Sequence, residues 1–269
     1  MTEKENIMYS VLAQLASTDV PLVFKGGMIT NLVLSENNYV GVRRATVDID
    51  ANWIDEPPTM SYLTSVFAKA LSEINPNYSV VPFREYEDGQ SAGFKVLDED
   101  KKVFSIDVEI KPVQNSRTYH FGEMSFQGVL PTEILADKIS AVSTDAVYKH
   151  RAKDLIDTYA LSHCILANTK EIFDVCQSRG KEIKDFNGFL NKLHELEHAY
   201  DKLGRIDNKP PFLTVHEYLK DFLKPFISKN YIEQVWNVHK CSWAELSSLD
   251  KDEVKEKSKK KPKFDMTDD

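Results

Sequence analysis

The chain has 269 residues, of which 42% are hydrophobic and 28% charged, with a formal net charge of −8. This is the composition of a globular protein, long enough to bury a core in one large domain or two modest ones. Three cysteines (Cys164, Cys176 and Cys241) with no C-x-x-C pair argue against a disulfide framework. The charged opening Met1-Thr2-Glu3-Lys4-Glu5, with no apolar run long enough to cross a bilayer, argues against a signal peptide or a membrane partner. A cytoplasmic protein is expected. The charge is uneven: residues 1–130 carry 11 basic and 18 acidic side chains, against 11 and 12 over residues 131–205 and 12 and 12 over residues 206–269. So acidic a first half is a poor general surface for nucleic acid but suits carboxylates gathered around a divalent metal. It leaves an RNA substrate to be held by the near-neutral second half.

In chain order, Ile7, Val11, Leu12 and Leu15 fall at helical spacing and predict an amphipathic helix over residues 3–17. Pro21-Leu22-Val23-Phe24 reads as a short strand ending at Gly26-Gly27, and residues 28–34 as a helix stopped by Asn37-Asn38. A strand follows over residues 46–54, and Pro57-Pro58 opens a helix running to Ile74. Further strands are predicted at residues 78–86, 92–97, 103–113 and 119–126; the short turns between them imply antiparallel pairing. The pattern changes at Pro131. From there the apolar residues recur at helical spacing: Ile134, Leu135, Ile139 and Val142, then Leu155, Ile156 and Tyr159, then Phe186, Leu190, Leu193 and Leu196. The expected organisation is an α/β (α+β) lobe with a mixed sheet over residues 1–130 and an α-helical lobe over residues 131–247. A disordered charged tail is expected over residues 248–269, where Lys257-Ser258-Lys259-Lys260-Lys261-Pro262-Lys263 lies.

The residues that carry chemistry lie in five short stretches. Side chains alternate faces along a strand, so Val47-Asp48-Ile49-Asp50 places Asp48 and Asp50 on one face with Ile49 directed inward. Asp107, in the apolar run Val103–Val108, can bring a third carboxylate to the same edge, and Glu109 points the same way. Neighbouring carboxylates repel unless a cation lies between them, and Mg²⁺ takes hard oxygen ligands while leaving positions for phosphates. Gly26-Gly27, between a strand and a helix, lets backbone N–H groups approach a phosphate, with Lys25 beside them as a further contact. Each stretch also has an ordinary reading: a chance Asp-x-Asp, an edge acid paired with a lysine, a tight turn, a solvated charge. Lys138 lies four residues after Ile134 and four before Val142, inside an apolar stripe, where it must snorkel out or reach an anion across a cleft. In Arg151-Ala152-Lys153-Asp154-Leu155-Ile156-Asp157 the two acids lie one turn apart, and spacing alone reads them, with Lys153, as a salt-bridged solvent face. The seven histidines show no metal-ligand spacing and read as structural.

Taken in order, Lys25-Gly26-Gly27, Arg44-x-Thr46-x-Asp48-x-Asp50, Asp107, Leu135-x-x-Lys138-Ile139-x-Ala141 and Arg151-x-Lys153-Asp154-x-x-Asp157 resemble the motifs of the AbiEii/AbiGii toxin nucleotidyltransferases, within the DNA polymerase β-like superfamily. The resemblance covers residues 20–165. It implies a nucleotidyltransferase lobe followed by a helical lobe, with Gly26 and Gly27 as the phosphate motif and Asp48, Asp50 and Asp107 as metal ligands. Lys138 would contact nucleotide phosphates, and Lys153-Asp154 would serve nucleotide binding or proton removal. The implied activity is Mg²⁺-dependent transfer of a nucleoside monophosphate from an NTP to an acceptor, with RNA, and tRNA ends in particular, the best candidates. The implied setting is a toxin encoded with a cognate antitoxin and linked to abortive infection by phage. One departure is that Gly27 and Met28 leave no hydroxyl after the first glycine, so backbone N–H groups must grip the γ-phosphate. Two other functions fit the same residues: a small-molecule, antibiotic-type nucleotidyltransferase, and a non-catalytic nucleotide-binding module.

Overall fold

The structure, a computed structural model that describes residues 2–85, 91–111 and 115–246, is built on a seven-stranded mixed sheet. The first half runs α1 (Glu3–Ala16), β1 (Leu22–Lys25), α2 (Gly26–Glu36), β2 (Arg43–Arg44), β3 (Asp48–Trp53) and α3 (Met60–Ser72). It continues with β4 (Tyr78–Arg84), β5 (Ser91–Asp98), β6 (Lys101–Ile110), β7 (Ser116–Phe121) and β8 (Met124–Val129). The second half has α4 (Pro131–Val142), α5 (Lys149–Ser162), α6 (Thr169–Ser178), α7 (Asn187–Asn191), α8 (Leu193–Asp201), β9 (Ile206–Asp207), α9 (Phe212–Ile227), β10 (Gln234–Asn237) and β11 (Ser242–Glu245). The expected strand ends at Tyr86 and Val113, and the tail from Ser248, lie outside the described residues. Among the described residues no helix is long and apolar enough to cross a membrane.

The sheet order is β4-β5-β6-β3-β1-β8-β7. The short turns do give the antiparallel pairs β4–β5 and β5–β6, but the single strand expected at residues 119–126 is a hairpin, β7–β8, turning at Gly122 and paired on the far side of the sheet from β6. The two parallel pairs, β3–β6 and β1–β8, join strands far apart in the chain, so no local turn could announce them. They set the site: β6 returns beside β3 only after the chain has crossed through α3 and the β4–β5 hairpin.

Local chemistry explains most of the element boundaries. A capping box between Thr2 and Glu5 starts α1, and Met8, Val11, Leu12 and Leu15 form its buried stripe. The Thr59 hydroxyl caps α3, so that helix begins after Pro57-Pro58 and not at them. Pro131 occupies the first turn of α4, where its missing N–H costs nothing. Elsewhere tertiary contacts override the pattern. The spacing of Phe186, Leu190, Leu193 and Leu196 suggests one helix, but Phe186 is fully buried in a left-handed conformation (φ +58°) and Lys192 breaks the run into α7 and α8. The second half is also not wholly helical, since β10 pairs with β11 and β9 pairs with β2.

The β2–β9 ladder, Arg43 opposite Asp207 and Arg44 opposite Ile206, ties the second half to the first, as does packing of α5 on α2. One continuous buried cluster extends from Met8 to Trp236. On the outer part of the sheet, Phe94 is fully buried with the Phe67 ring edge-on at 4.9 Å. Phe94→Ala removes this contact and is expected to cost about 3–5 kcal/mol. The expected result is a lower urea midpoint with an unchanged slope.

Candidate active site

Strand register lines up the chemistry. Gly93 on β5, Asp107 on β6, Asp50 on β3 and Lys25 on β1 form one row across four adjacent strands. Two residues back along β3 and β6, and so on the same face, a second row contains Lys95, Ser105 and Asp48. Ile49 and Ala51 are buried on the opposite face. Asp48, Asp50 and Asp107 therefore share a face, but among the described residues no three His, Cys, Asp or Glu side chains form a ready metal-binding group. Asp107, on the interior strand β6, accepts a hydrogen bond from Arg84 on the edge strand β4. Asp48 accepts one from the Thr46 hydroxyl at 3.1 Å. Glu109 is taken by Lys25, 2.7 Å away, which holds its carboxyl below the usual range against the opposing effect of burial.

Burial pushes the Asp50 carboxyl up to about 7, and Asp48 and Asp107 add to the rise while Lys25 and Lys138 oppose it. Burial also raises Asp107, aided by Asp48 and countered by Arg84. A carboxyl that burial and neighbouring acids hold up to about 7 is short of a cation, and the donors are all hard oxygens. The donor set fits a divalent ion of the magnesium type.

The glycines are shaped by the same acid. Gly26 has φ +68°, and a Cβ there would overlap the Asp50 carboxylate, coming within 2.8 Å of its Cγ. A Cβ on Gly27 would lie 2.9 Å from Thr46 Oγ1 and 3.3 Å from Arg44 Nη2. Where the sequence suggests a helix from Met28, α2 begins at Gly26, so the glycines are its first turn. No side chain caps it. That turn lines a cavity of about 220 Å³ with Asp48, Asp50, Lys138 and Lys153. An adjoining cavity of about 200 Å³ reaches Lys25, Asp137 and Arg151. An uncapped helix start presents free N–H groups and a positive dipole end, a ready site for an anion.

The opposite wall is an ion-pair network. Lys138 Nζ lies 2.8 Å from Asp154 Oδ1 and 3.0 Å from Asp157 Oδ2. Arg44 donates to both Asp157 oxygens, Nε at 3.2 Å and Nη2 at 2.9 Å, and Arg151 Nη1 donates to Asp154 at 2.6 Å. Burial would lower the Lys138 pKa, but Asp157 and Asp154 more than offset it and keep the ammonium charged. Burial would raise Asp157, yet Lys138 and Arg44 hold it well below the carboxylate range. The acids of α5 thus face α4 and β2 in place of the solvent face that spacing suggests. Arg44 and Asp157 gain a part in the site that the sequence pattern did not assign them; its only trace is the alternation Arg44-x-Thr46-x-Asp48 and the one-turn spacing from Asp154. The histidines divide: His216 is buried, its Nε2 3.0 Å from the Phe189 carbonyl, whereas His194 and His198 are exposed one turn apart on α8. They line a cavity of about 550 Å³ with Tyr148, Lys149 and Lys202.

A model of the nucleotidyl transferase AbiEii toxin family, of type IV toxin–antitoxin systems, matches residues 8–235. The chain belongs to this family. The match is wider than the span of the motifs and takes in most of the second half. As an AbiEii-family member the chain is a nucleotidyltransferase, with the mixed α/β fold described above. Solved structures that resemble it include MenT4, a nucleotidyltransferase toxin from Mycobacterium tuberculosis H37Rv, at TM-score 0.48 and 17% identity over 94% of this chain and 85% of that one. An antigenic nucleotidyltransferase-like protein from Paracoccidioides brasiliensis matches at TM-score 0.42 and 17% identity, over 68% and 95% of the two chains. The Megavirus polyadenylate synthase matches at TM-score 0.34 and 12% identity, over 97% and 49%. Comparison with curated proteins finds no match.

Two outcomes follow from the electrostatics of this AbiEii site. Asp157→Ala leaves Arg44 as a mostly buried cation without its carboxylate and is expected to cost about 3 kcal/mol in chemical denaturation. The Asp50 carboxyl, raised to about 7 in the folded protein, favours the folded state most at acid pH, below the ordinary carboxylate value, and loses that contribution as pH rises through 7. In chelator-treated protein the melting temperature should therefore fall across that window. Asp50→Asn should flatten the fall and raise the melting temperature at alkaline pH.

Proposed function

We propose that this nucleotidyltransferase uses Mg²⁺ to transfer a nucleoside monophosphate from an NTP to the end of an RNA, with tRNA the best candidate. The observation that carries the reading is the cavity itself. Two kinds of group line it: the carboxylates Asp48 and Asp50, and groups that attract an anion, the uncapped start of α2 beside Asp50 and Lys138 on the opposite wall. A triphosphate with a bound divalent ion is complementary to both.

In this reading the N–H groups of Gly26 and Gly27 hold the terminal phosphates, with Lys25 and Lys153 as further cationic contacts. Asp48, Asp50 and Asp107 would hold the Mg²⁺, which when bound would neutralise the triphosphate and lower the pKa of the attacking hydroxyl. The acceptor hydroxyl oxygen attacks the α-phosphorus and forms a new P–O bond. The bond from that phosphorus to the β-phosphate oxygen breaks, and pyrophosphate leaves with the electron pair. The hydroxyl proton passes to the Asp107 carboxylate. Lys138 balances the charge that grows on the leaving pyrophosphate, and Asp154 and Asp157 fix its ammonium for that task.

RNA is favoured over a small cationic acceptor by the cavity of about 550 Å³ at the start of α5 and on α8, where Tyr148 lies with Lys149 and Lys202, beside His194, His198 and the acid Glu195. Cations with an exposed aromatic ring suit a phosphate backbone and a stacked base. The same end of α5 supplies His150 and Lys153 to the catalytic cavity. We read residues 1–130 as the catalytic lobe and 131–247 as the acceptor-bearing helical lobe. Family membership supports a toxin paired with a cognate antitoxin; a cytoplasmic location and a part in abortive infection complete the proposal.

The test is transfer of label from each α-³²P-NTP to total tRNA, with Mg²⁺ or with chelator. Wild type with Mg²⁺ should label RNA with one preferred nucleotide. Asp48→Ala should lower transfer by on the order of 10³-fold while keeping the wild-type circular dichroism spectrum. An unlabelled tRNA pool with wild type, or full turnover by Asp48→Ala, would overturn the reading.

A further inference from the structure

The triphosphate cavity lies on one side of Asp50, bounded by the start of α2 and by α4 and α5. Asp107 lies on the other side, next to β5 and the edge strand β4. An acceptor hydroxyl has to arrive there, because the first side is filled by phosphates. The sheet has an irregular feature at that point. Pairing of β4 with β5 shifts between Pro82 and Arg84: Pro82 is opposite Phe94, Arg84 is opposite Gly93, and Phe83 is left without a partner. Such a bulge re-aims a side chain, and bulges concentrate beside active sites.

The re-aimed side chain is aromatic. A Cβ on Gly93 would lie 2.8 Å from Phe83 Cζ and 3.2 Å from Asp107 Oδ1, so the ring and the carboxylate meet over the same glycine. Phe83 remains 45% exposed on the edge strand. Two cations flank it: Lys95 Nζ is 5.4 Å from the ring centroid and Arg84 Cζ is 5.9 Å away. Lys95 belongs to the row of Asp48, on the face that carries the acids. An exposed ring flanked by two cations, over the same glycine as the carboxylate that meets the nucleophile, matches the way single-stranded nucleic acid is held. The base stacks on the ring and the cations take the phosphates.

We propose that Phe83, with Arg84 and Lys95, is the platform on which the terminal base of the RNA acceptor stacks while its hydroxyl reaches Asp107. This rests on the RNA-acceptor reading above. The platform accepts any base, since every base has a π-face, so acceptor choice resides elsewhere. Phe83 is a positioning residue and takes no part in bond making.

The test is steady-state transfer of label from the preferred NTP to total tRNA by wild type, Phe83→Ala, Phe83→Leu and Phe83→Trp. Phe83→Ala and Phe83→Leu should raise KM for tRNA about tenfold with KM for NTP unchanged, and Phe83→Trp should retain wild-type behaviour. Leucine keeps the apolar contact with Gly93, so its failure and the success of tryptophan separate stacking from simple cover of the strand. A wild-type KM for tRNA in Phe83→Leu, or an equal rise in KM for NTP, would overturn the platform alone. Wild type that binds NTP but labels no tRNA would overturn the RNA-acceptor reading and the platform with it.

Discussion

The site depends on one buried carboxylate. Asp157 on α5 receives Lys138 from α4 and Arg44 from β2 and screens their mutual repulsion in a poorly solvated space; without it Arg44 loses its carboxylate and Lys138 keeps Asp154 alone. Withdrawing three charges from water is costly. Here it is compensated by direct pairing with both cations and by the two-pronged hydrogen bond from Arg44. The same contact fastens the first half of the chain to the second, next to the β2–β9 ladder, so the positions of the two cavity walls are set together.

The walls differ in charge. Lys138, Arg44 and Arg151 against Asp154 and Asp157 leave one side with an excess cation, while Asp48 and Asp50 face it as an uncompensated pair. Neither wall is satisfied by the other, because Lys25 and Lys138 reduce the rise in the Asp50 pKa without cancelling it. A polyanion carrying a divalent cation supplies what both lack. Preorganised charge of this kind can contribute to transfer chemistry with little movement of the protein.

Two glycines shape the space around the acids in complementary ways. At Gly26 the absence of a side chain lets Asp50 lie against the start of α2, bringing a carboxylate and a helix N-terminus together. At Gly93 it opens a shelf over which Phe83 folds toward Asp107. Both follow from the row that runs across β5, β6, β3 and β1, and that row exists because β6 returns parallel to β3.

What the sequence determined by itself is what a local period can encode. Alternation along the strand put Asp48 and Asp50 on one face with Ile49 beneath them, the strand-glycine-helix order marked the turn at Gly26-Gly27, and the apolar stripe of α4 showed that Lys138 had to snorkel out or reach an anion. The tertiary structure decided who meets whom. Spacing gave Asp154 and Asp157 a solvent face, whereas packing gave them Lys138 and, across 113 residues of chain, Arg44. Packing also supplied Arg84 as the partner of Asp107, started α2 at Gly26, and divided the Phe186–Leu196 run. A periodic pattern fixes the direction in which a side chain leaves its own element but carries no information about the element it will meet. Ion pairs, burial and the resulting pKa values depend on that meeting.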